Sequence, residues 1–287
     1  MNKLIEIRTG SDSDIPKIKE IYEFLNELEI PYSPRILSAH RTPENMAKEA
    51  QNLVKNGIRV SVAAAGGSAH IAGMTASETH LPIIALPVKS TFSGLDALLS
   101  MIQMPPGIPN ACVGINDGKS AGILATRIAY LDNINIREKL SKNLNTKIKS
   151  ILENKSINII TNNKNLDLSL LDQLEIKYNL NSNNSPISIY IDDIDKFPKL
   201  IPDDLEEISI AAPLANSDYK IENLVNVVKN PIAWVGLNRT NNAFLLSARI
   251  LGIYFPEIRK NLNNYMENLK VEVIKKDIKL QNSGIEI

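Results

Sequence analysis

Two short segments hold the residue types that do acid/base chemistry. Leu37-Ser38-Ala39-His40-Arg41-Thr42-Pro43 sets a histidine beside an arginine, and Ala65-Gly66-Gly67-Ser68-Ala69-His70 brings a second histidine behind a double glycine. An imidazole changes charge near neutrality, with a reference pKa of about 6.5. A guanidinium offers a planar fork that matches phosphate oxygens. Together they suit proton transfer on a phosphorylated small molecule. The chain has only three histidines, so the candidates are few. His40 leads, because it sits in a polar strand-to-helix loop next to Arg41. His70 stands at a similar rim, either shaping the pocket or transferring protons, and His80, just before an apolar run, reads as a loop residue.

A third segment, Gly10-Ser11-Asp12-Ser13-Asp14, puts hydroxyls and backbone N–H groups where a helix begins. Unpaired donors and the helix dipole favour a phosphate there. Asp14 is able to accept hydrogen bonds from sugar hydroxyls. The segment is neither a Walker loop nor a GxGxxG turn, which argues against triphosphates and dinucleotides. Serine, aspartate and Thr42-Pro43 are also ordinary helix-start signals. Gly66-Gly67 is read as allowing close backbone approach to a flat ligand. No two histidines have the i, i+4 spacing of a metal motif and Cys112 is the only cysteine, so neither a metal site nor a disulfide framework is expected.

The elements that must position these loops follow from hydrophobic periodicity. Strand-like runs at residues 4–8, 32–37, 59–64, 82–88 and 111–115 alternate with helical stretches at 15–28, 43–55, 69–79, 95–102 and 118–131. This βαβα order predicts an α/β fold, a doubly wound parallel sheet with ligands at the carboxyl ends of its strands. The runs VSVAAA and PIIALPV are apolar on both faces, as expected of parallel strands covered on both sides. All three polar loops should then meet at one rim. The stretch from Gly94 to Gly107, GLDALLSMIQMPPG, reads as a helix running into a Pro-Pro-Gly stop, its methionines serving core or subunit contacts.

At 287 residues the chain suggests roughly two units of about 100–200 residues. Its 32 basic and 32 acidic residues cancel, so no overall field draws it to nucleic acid or an anionic membrane. No apolar run reaches the ~18 residues of a membrane span and the N-terminus lacks a signal-peptide core, so a cytoplasmic protein is expected. The second unit echoes the first. Residues 110–140 align without a gap on 232–262, matching Val113 with Val235, Gly114 with Gly236, Asn116 with Asn238, Arg127 with Arg249 and Arg137 with Arg259. Residues 210–228 lie on 84–102 and 157–161 on the first strand, which reads as an internal duplication. Where the first copy has its three polar loops, the second offers residues 162–165, 181–184 and 192–195, and no histidine. The expected boundaries are 1–154 for a catalytic domain and 155–287 for a degenerate repeat without the active-site loops.

Taken together, GSDSD, SAHRTP, AGGSAHIAGM and SGLDALLSMIQMPPGIP, in this order over residues 1–135, resemble the N5-carboxyaminoimidazole ribonucleotide (N5-CAIR) mutase family of purine biosynthesis. Gly66-Gly67-Ser68-Ala69-His70 resembles the mutase form of the glycine-rich loop, with Ser68 in place of an alanine and Ile71-Ala72 in place of Leu-Pro. The resemblance implies a flavodoxin-like, three-layer αβα fold. It implies an isomerase that moves a carboxylate from the exocyclic nitrogen to ring carbon 4 without metal or organic cofactor. It makes His40 the general acid/base. It makes Ser11, Asp14 and Arg41 substrate-binding residues, with Ser13, Ser38, Ala39 and the backbone of Gly66, Gly67, Ser68, Ala69 and His70 completing the pocket. Relatives of this kind form octamers, so a tandem chain is expected to give a pseudo-octamer from four copies. Two alternatives stand beside this reading: an aminoimidazole ribonucleotide carboxylase using carbon dioxide directly, and a non-enzymatic nucleotide-binding scaffold.

Overall fold

A computed structural model describes residues 2–140, 155–182, 184–202, 206–215, 224–225, 227–228 and 231–283. Five strands of the first half, β1 (Ile5–Thr9), β2 (Tyr32–Ile36), β3 (Val60–Ala65), β4 (Ile83–Pro87) and β5 (Ala111–Cys112), pair in parallel in the order 2-1-3-4-5. That is the flavodoxin order, with its switch point between β1 and β3. Helices α1 (Lys19–Glu27), α2 (Pro43–Gln51), α3 (Ile71–Glu78), α4 (Leu95–Ile102) and α5 (Gly118–Ala129) alternate with the strands, and α6 (Ile134–Leu140) follows. The expected helix at 15–28 opens as a 3-10 segment, Asp12–Ile18, because Pro16 sits inside its first turns.

Every residue of β3 is buried, as its two-sided apolar run requires. β1 departs from that rule. Glu6 and Arg8 share one face by the two-residue period of a strand, and both are buried. Arg8 Nε donates to Glu6 Oε1 at 2.6 Å, Arg8 Nη1 donates to Thr75 Oγ1 at 3.0 Å, and Ser61 Oγ donates to the same carboxylate at 3.0 Å. This network meets the buried charges and ties β1 to α3. Burial pushes the Arg8 guanidinium down from its ordinary value, with Glu6 opposing the shift.

In the second half, β6 (Ser156–Thr161), β7 (Lys177–Leu180), β8 (Ile187–Asp193), β9 (Ile208–Leu214) and β10 (Ile232–Trp234) stand in the sheet as 10-9-8-6-7, again 2-1-3-4-5 when counted from β6. Helices α7 (Ser169–Gln173), α8 (Phe197–Leu200), α9 (Thr240–Tyr254) and α10 (Pro256–Ser283) accompany them. The two halves share one sheet. One antiparallel bridge, Trp234 to Cys112, joins β10 to β5 and makes a single ten-stranded sheet. Burying both short edge strands against each other removes an exposed edge from each half. The expected boundary at 154/155 falls beside residues 141–154, which lie outside the described residues.

Local contacts recur at matching positions. Val113 N donates to Ala85 O at 3.0 Å and Val235 N to Ala211 O at 2.9 Å; Asn116 N donates to Pro87 O at 2.8 Å and Asn238 N to Pro213 O at 2.9 Å. Both asparagines have left-handed backbones, φ 58° and 56°, and each side-chain oxygen accepts the N–H of the residue two beyond that proline. The arginines cross over: Arg127 Nη1 donates to Glu207 O at 3.0 Å, and Arg249 Nη1 to Leu81 O at 3.2 Å. α5 and α9, each buried almost all round, are the elements sandwiched by this exchange. The stretch after α4 also serves the joint, as Gln103 Oε1 accepts from Leu237 N at 3.0 Å and Arg239 Nε donates to Met104 O at 2.9 Å.

Candidate active site

The three polar loops follow β1, β2 and β3, and they meet at one end of the sheet around a pocket of about 340 Å³. After β1, Ser11 caps the 3-10 segment: its hydroxyl oxygen accepts from Ser13 N at 3.4 Å and from Ser13 Oγ at 3.0 Å. Asp14, on that segment, is buried. Burial pushes its carboxyl up from the ordinary range; the Lys17 ammonium 3.8 Å away opposes the shift and Asp12 adds to it.

After β2, the SAHRTP loop is a turn closed by its own hydroxyls. Thr42 Oγ1 accepts from Ser38 N and donates to Ser38 O, both at 3.1 Å, while Ser38 Oγ accepts from Arg41 N at 3.1 Å. Pro43 then starts α2, its preset φ suited to a first helical residue. Ala39 is buried and anchors the turn, which leaves His40 and Arg41 exposed at its apex. Arg41 Nη2 donates to Gly10 O at 3.1 Å and so clasps the first loop.

After β3, His70 stands at the N-terminus of α3, and its ring reaches His40: Nε2 of His40 lies 2.9 Å from Nδ1 of His70, the rings edge-on at 77°. One facing nitrogen donates and the other accepts, so the contact couples the tautomers of the two rings. Nothing in a 30-residue separation signals this pairing; the sequence pointed to His40 beside Arg41 instead.

Of the expected residues, Ser11, Asp14, Ser38, Ala39, His40, Arg41, Gly66, Ser68 and His70 line the pocket. Ser13, Gly67 and Ala69 do not. Ser13 bonds back to Ser11, Ala69 is buried in the core behind the loop, and Gly67 turns the chain with φ 64°. A Cβ on Gly66 would lie 3.0 Å from Val88 O and 3.2 Å from Ser90 Cβ, so its absence also lets the loop pack closely against the protein behind the pocket. Gly10, Ala65 and Ile71 complete the lining. His80 lies between α3 and β4, away from this pocket, where burial, then Arg259 and Arg249, push its imidazole down from the usual value. Among the described residues no group of three or more His, Cys, Asp or Glu side chains is placed to hold a metal ion, and no helix is long and apolar enough to cross a membrane.

A flavodoxin-order sheet whose rim gathers two bonded histidines, an arginine and a carboxylate defines an acid/base enzyme for a small anionic substrate. Comparison with known proteins narrows the class. A family model described as AIR carboxylase matches residues 4–150, and the chain belongs to that family. An N5-carboxyaminoimidazole ribonucleotide mutase of Thermotoga maritima is 47% identical over 150 residues, 52% of this chain and 88% of that protein. One of Pyrococcus abyssi is 46% identical over 139 residues, 48% of this chain and 80% of that protein. A phosphoribosylaminoimidazole carboxylase of Candida glabrata is 43% identical over 151 residues, 52% of this chain but 26% of that longer protein.

Proposed function

We propose that the first half, residues 1–154, is an N5-CAIR mutase with His40 as its general acid/base. The observation that carries this reading is the His40–His70 contact of 2.9 Å in a pocket flanked by Arg41 and Asp14. Arg41 and the Ser11 hydroxyl receive the phosphate, and Asp14 accepts from ribose hydroxyls. His40 gives a proton to the exocyclic nitrogen as its bond to the carboxylate carbon breaks, releasing carbon dioxide beside the aminoimidazole. Ring carbon 4 attacks that carbon dioxide, and His40 takes the proton from carbon 4. The proton and the carboxylate are both returned, so the net change is an isomerisation that calls for no ATP, oxidant or metal. Buried Ala65 and Ile71 give the pocket dry walls against loss of the gas.

The second half, residues 155–287, is on this reading a diverged copy without chemistry. What supports it is the repeated strand order, the paired Asn116 and Asn238 contacts and the crossed arginines. By strand register Asp192 stands where Ala65 does. Its carboxylate accepts from Asn162 Nδ2 at 2.8 Å and from Lys196 Nζ at 2.7 Å, which fills the rim with the protein's own side chains. Phe197, in the place of His70, is buried against Trp234. No described helix lies between β7 and β8, where the first half carries its histidine turn and α2. The proposal includes a cytoplasmic setting and a homotetramer that imitates an octamer.

Turnover decides the first part. Purified protein given N5-CAIR should form 4-carboxyaminoimidazole ribonucleotide without added bicarbonate. Turnover only of aminoimidazole ribonucleotide plus carbon dioxide would favour the carboxylase reading, which the Candida glabrata relative keeps open. Calorimetry should find one nucleotide per chain, and light scattering a mass near four times 31.8 kDa.

A further inference from the structure

The double-glycine loop does not hold its own shape. Its backbone turns at Gly67, and the Gly67 N–H donates to Ser90 Oγ at 3.1 Å. Ser90 Oγ in turn donates to the Asp96 carboxylate, 3.2 Å from Oδ2 and 3.4 Å from Oδ1. Asp96 lies in the first turn of α4, so the relay runs from a helix through a hydroxyl to the amide between two pocket-lining residues, Gly66 and Ser68. A hydroxyl that donates to a carboxylate is a stronger acceptor, and each bond in such a chain reinforces the next. The absent Cβ of Gly66 lets the loop lie against Val88 O and Ser90 Cβ. The same segment braces the first loop, because Lys17, the ion-pair partner of Asp14, donates from Nζ to Lys89 O at 3.2 Å.

We infer that Ser90 and Asp96 are positioning residues for substrate binding: through the Gly67 amide they fix the backbone that Gly66 and Ser68 present to the nucleotide. Neither lines the pocket, so neither touches the reacting atoms. The inference rests on the mutase reading for its substrate, but the relay itself is open to a test without turnover.

Ser90→Ala, Ser90→Thr and Asp96→Ala are compared with the unaltered protein under N5-CAIR turnover. Losing one charge-assisted link in the relay should raise KM about five- to tenfold in Ser90→Ala. The kcat per folded chain should stay within about twofold, because the histidine pair and its proton are untouched. Ser90→Thr keeps the hydroxyl and should restore KM. Asp96→Ala leaves the hydroxyl without its acceptor and should fall between them. An unchanged KM in Ser90→Ala overturns the inference. So does a lower kcat at unchanged KM with a lowered Tm, the mark of a merely structural loss. If Ser90→Ala does not fold, Asp96→Ala carries the same test. Hydrogen exchange at the Gly67 amide separates the two readings: it should quicken in Ser90→Ala and not in Ser90→Thr. If the unaltered protein fails to turn over N5-CAIR, the mutase reading falls, and the exchange result alone decides whether the relay holds the loop.

Discussion

Which of two bonded histidines moves the proton is decided by how much each is worth. His40 and His70 are both exposed, and their 2.9 Å contact competes with water, so the bond itself is of ordinary strength. Removing such a bond costs about 0.5–1.5 kcal/mol, which is roughly a two- to thirteenfold loss in rate. Removing the group that transfers the proton costs about 10²–10⁴-fold. If His40 is the acid/base and His70 only orients it, His70→Leu should lower kcat about two- to thirteenfold and His40→Asn at least a hundredfold. Both are read as kcat at saturating N5-CAIR, with circular dichroism to show that each variant is folded. The double variant should be no worse than His40→Asn, because an orienting partner has nothing left to orient. A hundredfold loss in His70→Leu, with His40→Asn within tenfold of the unaltered enzyme, would reverse the assignment and refute the reasoning.

Three other perturbations read directly from the structure. Asp14 holds its proton more readily in the fold than when unfolded, so the stability cost of its buried charge is present above its raised pKa and vanishes as pH falls through it; Asp14→Asn should raise Tm at pH 7 while raising KM. His80 is the opposite case, a base with a depressed folded pKa, so stability is lost as pH falls below about 6.5; His80→Gln should flatten the decline of Tm between about pH 7 and pH 5. Arg249→Ala leaves Leu81 O and Ala76 O unpaired in the interior, costing about 1–3 kcal/mol each and roughly 2–6 kcal/mol together. In a chain this long that should appear as a fall of about 3–10 °C in Tm by calorimetry, and an unchanged Tm would remove this arginine from the joint between the halves.

Much of the site was legible because its residues stand in polar loops that interrupt periodic apolar runs. Each loop follows a strand, and parallel strands end on one side, so His40, Arg41, Asp14 and His70 had to share a rim. What escaped the sequence is non-local. The histidine contact spans 30 residues and carries no spacing signal. The double glycine reads as room for a ligand, but nothing in its sequence shows that Gly66, which lines the pocket, also lies against Val88 and Ser90 from another loop. Glu6 and Arg8 break the apolar run of a buried strand, and their burial is explained by their bond to each other and by Ser61 and Thr75 opposite them. The union of β5 and β10 rests on one bridge between strands of two and three residues, too short to leave a pattern.

The same geometry explains why a half without histidines remains attached to one that has them. α5 carries Gly118, Ser120, Ala121, Gly122 and Ala125, and its buried surface extends from α1 and β1 to β9 and β10. Gly118 and Gly122 admit α1 closely: a Cβ on either would come within 3.0 Å of Ile21 N or 2.8 Å of Phe24 Cδ1. The opposite side of α5 is therefore left for the second half, and Arg127 fixes it there by reaching the carbonyl of Glu207. On the other side of the joint, Ile253 of α9 packs on Leu53, Ile58 and Leu81, beside the carbonyls that Arg249 holds. Leu81 immediately precedes the loop to β4, the strand that runs on to Val88 and Ser90 behind the double glycine. The second half's arginines and apolar helix faces thus complete the burial of elements on which the first half's loops are mounted, which gives the joint a structural purpose independent of any chemistry in the second half.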